Sequence, residues 1–99
     1  MQRTRYLVAY DIREDRRLRE VHKVCKTFGY PLQYSIFICD LDPGEKVGLE
    51  LSLGDVMDQR VDSVVIVDLG DPARRGAECF EFIGWRWPAG LPRAGPVIF

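Results

Sequence analysis

Residues Arg5 to Ile12 read Arg-Tyr-Leu-Val-Ala-Tyr-Asp-Ile, an apolar run that delivers a single carboxylate near its end. In a β-strand, Tyr6, Val8, Tyr10 and Ile12 share one face, while Leu7, Ala9 and Asp11 share the other. Both faces are apolar, so both need cover. The polar run Arg13-Glu14-Asp15-Arg16-Arg17 follows, with Asp15 placed to cap a helix over Arg16–Phe28. Leu18, Val21, Cys25 and Phe28 recur at helical spacing with Val24 beside them, which gives one apolar stripe. Gly29 is the residue expected just past the helix end.

Pro31 and the stretch Leu32 to Leu41 predict extended chain that is long for one strand, so a kink or tight reversal is expected near Ser35. Asp42-Pro43-Gly44 reads as a turn. Glu45 to Met57 reads as a second helix with Val47, Leu51 and Gly54 inward; Gly48 and Gly54 make it poor by propensity, so packing must hold it. Ser63 to Leu69 is a continuous apolar run of the kind found in central strands, and Glu78 to Gly84 alternates like an edge strand.

This order, β-α-β(β)-α-β-β, predicts an α+β chain with the ferredoxin-like sandwich: an antiparallel sheet with both helices on one face. The domain covers residues 1–84 and a tail covers 85–99. The second sheet face is left bare, and a bare apolar face implies a partner. The simplest partner is a second copy related by a two-fold axis, with strand 78–84 as the candidate to cross over.

At 99 residues, 46% of them hydrophobic and 29% charged, the chain is long enough for one core. No apolar run approaches the roughly 20 residues of a membrane span, and strand residues follow the start without a signal-peptide pattern. The expected location is the cytoplasm, with no membrane partner. Cys25, Cys39 and Cys79 lack CxxC spacing and sit among apolar or helical neighbours, so they read as small core residues. One histidine, His22, leaves little basis for a soft-metal site or a Cys-His pair.

Net charge is −1, but its distribution is uneven: +4 over residues 1–30, −7 over 31–72 and +2 over 73–99. A basic first third can present an anion-binding face on a near-neutral protein. Arg19, Lys23 and Lys26 form a helical stripe opposite the apolar one, with Arg16 nearby; the stripe reads equally as a solvated face or as a phosphate contact. Asp11 at the rim of a sheet, beside arginines, is a sensible place for a metal and a phosphate. The plain alternative is that Asp11 starts the turn into the helix.

Tyr10-Asp11-Ile12 after an apolar strand, Arg17-Leu18-Arg19, Gly29, Leu32-Gln33-Tyr34-Ser35-Ile36-Phe37 and the Val64–Leu69 strand together resemble one family. It is the small CRISPR-associated protein two, the integrase's partner in spacer acquisition. The resemblance covers about Arg5 to Gly84. It implies a ferredoxin-like homodimer whose C-terminal strands add to each other's sheets, bridging integrase subunits along a DNA fragment. It also implies, from the nucleases among the relatives, Mg²⁺ (or Mn²⁺) held by Asp11 and its two-fold mate between protomers, acting on RNA or DNA. Tyr10, Arg17, Arg19 and Phe37 fall on or next to positions the family links to activity. Pro31 departs from the pattern, which carries a basic residue there.

A hard ion needs only one or two carboxylates and several waters, so a symmetric Asp11 pair would suffice where one would be thin. Without metal or proton, two such carboxylates would repel. The leading reading is therefore a nucleic-acid-binding scaffold that contacts duplex backbone through Arg13, Arg16, Arg17, Arg19, Lys23 and Lys26. The second is an added metal-dependent endonuclease activity, and the alternative is a stand-alone toxin-type ribonuclease of the same fold. A regulatory module without nucleic acid is disfavoured by the arginine cluster, and a sheet-surface RNA-binding domain by the lack of an aromatic RNP1 segment. The tail end Val97-Ile98-Phe99 is expected to dock on the integrase as an added strand, to pack on its own dimer, or to fray.

Overall fold

The alternating pattern after Arg3 builds the strand it predicts, and that strand lies near the middle of everything else. In the computed structural model, which describes residues 2–84 and the backbone of 97–98, the elements run β1 (Thr4–Asp11), α1 (Asp15–Phe28), β2 (Tyr30–Gln33), β3 (Ile36–Leu41), α2 (Pro43–Val56), β4 (Ser63–Gly70), the short helix α3 (Arg75–Glu78), and the two-residue strands β5 (Phe82–Ile83) and β6 (Val97–Ile98). The first four strands form one antiparallel sheet in the order β2-β3-β1-β4. Val8 and Tyr10 from β1, Phe37, Cys39 and Leu41 from β3, Val21 and Cys25 from α1, and Leu49 and Leu53 from α2 form one buried cluster. This is the α+β ferredoxin-like sandwich, with the chain reversing at Tyr34-Ser35 as expected.

Local chemistry moves several boundaries. Glu14, not Asp15, caps α1: its carboxylate accepts the Arg16 and Arg17 amides at 2.8 and 3.0 Å. Asp42-Pro43-Gly44 is no free turn but the start of α2. The Asp42 carboxylate accepts the Glu45 amide at 2.8 Å, Glu45 accepts the Asp42 amide at 3.0 Å, and Pro43 occupies the first turn, where its missing N–H costs nothing. The inward residues of α2 are Leu49 and Leu53, while Val47 and Leu51 face solvent. Apolar residues lie all round this helix, so periodicity alone chose the wrong side. Gly29 ends α1 in extended backbone, not in a left-handed turn. Its lack of a side chain is needed for space, because a Cβ there would run into the Ile38 carbonyl and lie 2.6 Å from Cys39 Sγ.

The run Ser63 to Gly70 is the outer strand of this sheet, not a central one. Nor does Glu78–Gly84 form one edge strand. Asp71 folds the preceding loop on itself, accepting the Ala73 amide on its side chain at 2.8 Å and the Arg74 and Gly76 amides on its carbonyl. A helical turn follows over Arg75–Glu78, and only Phe82–Ile83 is extended, paired in parallel with Val97–Ile98 of the same chain. Apart from that ladder, the expected docking of the tail lies outside the described residues.

Register arranges the helix-free face in rows: Asp40, Arg5 and Gly70; then Ile38, Leu7 and Val67; then Ile36, Ala9 and Val65; then Asp11 beside Ser63. The first row is closed. Arg5 is buried, forks onto Asp40 at 2.7 and 2.8 Å and donates to the Gly76 carbonyl at 3.0 Å. Towards β4 the face is open, with Val65 56% and Val67 41% exposed.

Candidate nucleic-acid interface and its rim carboxylate

Asp11 ends β1 one row beyond that apolar patch, about 7 Å past Ala9 by strand geometry. Its side chain is 72% exposed, and its nearest cation is Arg13, with Nη1 at 3.8 Å. The loop behind it is held by a different acid. Asp62, buried just before β4, accepts the Arg13 amide at 2.9 Å, the Asp58 amide at 2.8 Å, and Arg17 Nε and Nη2 at 2.8 and 3.3 Å. The guanidinium first, helped by the two amides, holds the Asp62 carboxyl well below the usual carboxylate range, and the same bond raises Arg17. Arg17 is therefore engaged inward as a loop anchor. Asp62 went unnoticed in the sequence, where it looks like a turn residue; its one signal is position, directly before a strand that pairs Ser63 with Asp11.

Tyr10 and Phe37 sit on the opposite sheet face from Asp11. Phe37 is fully buried, with its ring stacked on Tyr10 at 6.3 Å and edge-on to His22 at 5.3 Å. Its part is to hold those two rings. The Tyr10 hydroxyl lies 2.9 Å from His22 Nδ1 and donates to the Tyr34 carbonyl at 3.3 Å. Burial pushes its pKa up to about 12, so it keeps its proton at neutral pH. The thiols of Cys25 and Cys39 are buried core groups, pushed up by desolvation to about 12 and about 11.

The six cations expected to meet phosphate divide into separate groups. Arg13 stands beside Asp11 and Arg17 is paired with Asp62. Arg16 shares a concavity with Arg17 and with three acids, Glu14, Glu20 and Asp55, so acids outnumber cations there. Arg19, Lys23 and Lys26 line a different concavity with Tyr10, His22 and Tyr34. Lys23 reaches Glu20 at 3.3 Å in the open, a pair too exposed to neutralise it.

Among the described residues no three metal-ligating side chains come together. One chain offers a divalent cation one exposed carboxylate. Two copies placed back to back on the Val65–Val67 patch would offer two, a donor set suited to a water-rich Mg²⁺.

The chain matches the family model described as CRISPR associated protein Cas2 over residues 4–76, from β1 into α3. It is 40% identical over 65 residues to CRISPR-associated endoribonuclease Cas2 1 of Rhodospirillum rubrum, covering 66% of this chain and 64% of that protein, a little under two thirds of its length. It is likewise 40% identical over 65 residues to CRISPR-associated endoribonuclease Cas2 of Geobacter sulfurreducens, covering 66% and 68%. The crystal structure of Streptococcus pyogenes Cas2 superposes with a TM-score of 0.64 at 34% identity, covering 72% of this chain and 93% of that one. A hypothetical protein, TT1823, from Thermus thermophilus gives a TM-score of 0.67 at 29% identity, covering 69% and 83%. No helix among the described residues is long and apolar enough to cross a membrane. A family match over most of the described domain, relatives of this identity and a shared sheet order leave the family plain: the chain belongs to the CRISPR-associated Cas2 proteins.

Proposed function

We propose that the chain works as a homodimer in CRISPR spacer acquisition, as the subunit that holds nucleic acid by its backbone for the integrase. The observation that carries this reading is the stripe of Arg19, Lys23 and Lys26, whose side chains project from α1 with no buried acid to occupy them. Cations so placed bind phosphate without reading sequence, which a scaffold for arbitrary fragments requires. The open rows of Val65 and Val67 support the dimer, since an apolar patch on a β-sheet is covered most simply by its own copy.

The reading includes a metal-dependent endonuclease activity. The Rhodospirillum and Geobacter relatives are named endoribonucleases, and one from Halalkalibacterium halodurans is named an endonuclease. Asp11 and its mate would hold Mg²⁺ or Mn²⁺, which when bound supplies a Lewis acid for a phosphoryl oxygen. This chain's own contribution is to fix that carboxylate at a strand end and to place Arg13 beside it, where positive charge offsets the approach of a polyanion. Tyr10, Arg17 and Phe37 act from behind, by holding the strand, the loop and the aromatic cluster.

The scaffold reading is tested by titrating a duplex at several salt concentrations. Replacing Arg19 and Lys26 with Ala should weaken binding and lower the slope of log affinity against log salt by roughly 2, one condensed counterion for each phosphate that no longer meets a cation. A slope that does not change overturns it.

A further inference from the structure

The basic stripe of α1 forms one side of a concavity of about 330 Å³, completed by the rings of Tyr10, His22 and Tyr34. That volume falls within the ~300–1,000 Å³ range of small-ligand sites. Two features set it apart from an ordinary solvated helix face. Tyr34 is 79% exposed, yet the backbone around it is fixed. The Tyr10 hydroxyl donates to the Tyr34 carbonyl at 3.3 Å, and the Tyr10 amide donates to the Ser35 carbonyl at 3.1 Å. The turn that carries the ring is thus fixed by main-chain bonds, while the ring itself stands in solvent. His22 lies against it, with ring centroids 6.5 Å apart and 30° between the planes, and is itself locked by Phe37 and by the Tyr10 hydroxyl. The second feature is charge: Arg19 and Lys26 border the same space and have no acidic partner among the described residues.

An exposed aromatic ring on a fixed turn, beside cations without acidic partners, matches the chemistry of an exposed base flanked by phosphates. We propose that this concavity takes one unpaired nucleotide of a bound strand, its base stacked on Tyr34 and its neighbouring phosphates against Arg19 and Lys26. The proposal rests on the nucleic-acid reading above and deepens it. It adds a preference for frayed or single-stranded segments, because a base inside a closed duplex offers no free face. Stacking tolerates any base, and a base flanked by phosphates is common to RNA and DNA, which the test distinguishes.

The test is a fluorescence-anisotropy titration of the full chain with a blunt duplex, the same duplex carrying a short unpaired end, and a single strand, each as DNA and as RNA. Tyr34→Ala is expected to lose roughly tenfold in affinity for the unpaired end and the single strand, while its affinity for the blunt duplex is unchanged. Tyr34→Phe, which keeps the ring, is expected to retain both. Because the ring is exposed, neither variant should alter thermal unfolding, and a melting scan guards against misfolding. Equal losses on blunt and unpaired duplex overturn the pocket while leaving the backbone scaffold standing. A wild-type chain that binds none of the oligonucleotides overturns both readings. A loss confined to RNA or to DNA supports the pocket and identifies the strand it accepts.

Discussion

Two aspartates flank the loop after β1, and their environments are opposite. Asp62 is buried, makes four hydrogen bonds to three residues and has its charge balanced by Arg17. Asp11 is open to solvent, with one contact at 3.8 Å. The same division separates Arg17, Tyr10 and Phe37, which are engaged inward, from Arg13, Arg19 and Lys26, which face out. A carboxylate with its lone pairs satisfied cannot bind a metal, and a guanidinium already forked on an acid has little left for phosphate. The difference teaches that charges close together in one loop are not equally available: Asp62 is used to hold the loop, while Asp11 stays open to solvent.

The comparison breaks most readily at its buried side. Phe37→Ala should destabilise the fold by about 3–5 kcal/mol, the usual cost of emptying a large aromatic site in a core, as read from urea unfolding. A loss below about 1 kcal/mol would mean that Phe37 is not the packing centre described. Next in size, Asp62→Ala should lower the melting temperature by on the order of 10 °C, whereas Asp11→Asn should change it by no more than about 2 °C. Asp11→Asn should nonetheless abolish any Mg²⁺-dependent cleavage. Similar melting losses in the two variants would erase the distinction between anchor and rim.

The same contrast has a pH signature. Asp62 is held below its ordinary range, and Asp58, bonded to Arg60, is lowered to about 2. A carboxylate with a depressed folded pKa favours folding above its unfolded value, and that contribution is lost as pH falls through about 4 and below. Acid unfolding should therefore be steeper in the wild type than in Asp62→Asn. The smallest expected effect concerns Arg16, which sits among Glu14, Glu20 and Asp55. Arg16→Ala should leave the salt slope of duplex binding nearly untouched, while Arg19→Ala lowers it by about 1.

What was legible in the sequence was whatever depends on local period and on near neighbours. The apolar alternation of β1, the Leu18-Val21-Cys25-Phe28 stripe and the reversal at Ser35 needed no tertiary information, and together they identified the ferredoxin-like order. The YDI and QYSIF segments added the family. Errors came where the pattern was ambiguous or where a residue answered to something far along the chain. Helix α2 is apolar all round, so which side is inward depended on Phe28 and the sheet. The 63–70 run looked central because two-sided apolar character marks central strands, but here Val65 and Val67 on one side are open to solvent.

The amino-acid sequence by itself determined the class of fold, the exposed acid at the end of β1 and the basic face of α1, because these follow from periodicities of two and 3.6 residues. Tertiary structure decided which charges are free. Asp62 meets Arg13 and Arg17 across 49 and 45 positions of chain, and Tyr34 joins Arg19 and Lys26 only because β2 turns back against α1. Pairing of charges across such distances is set by strand register and helix packing, and no local pattern carries it.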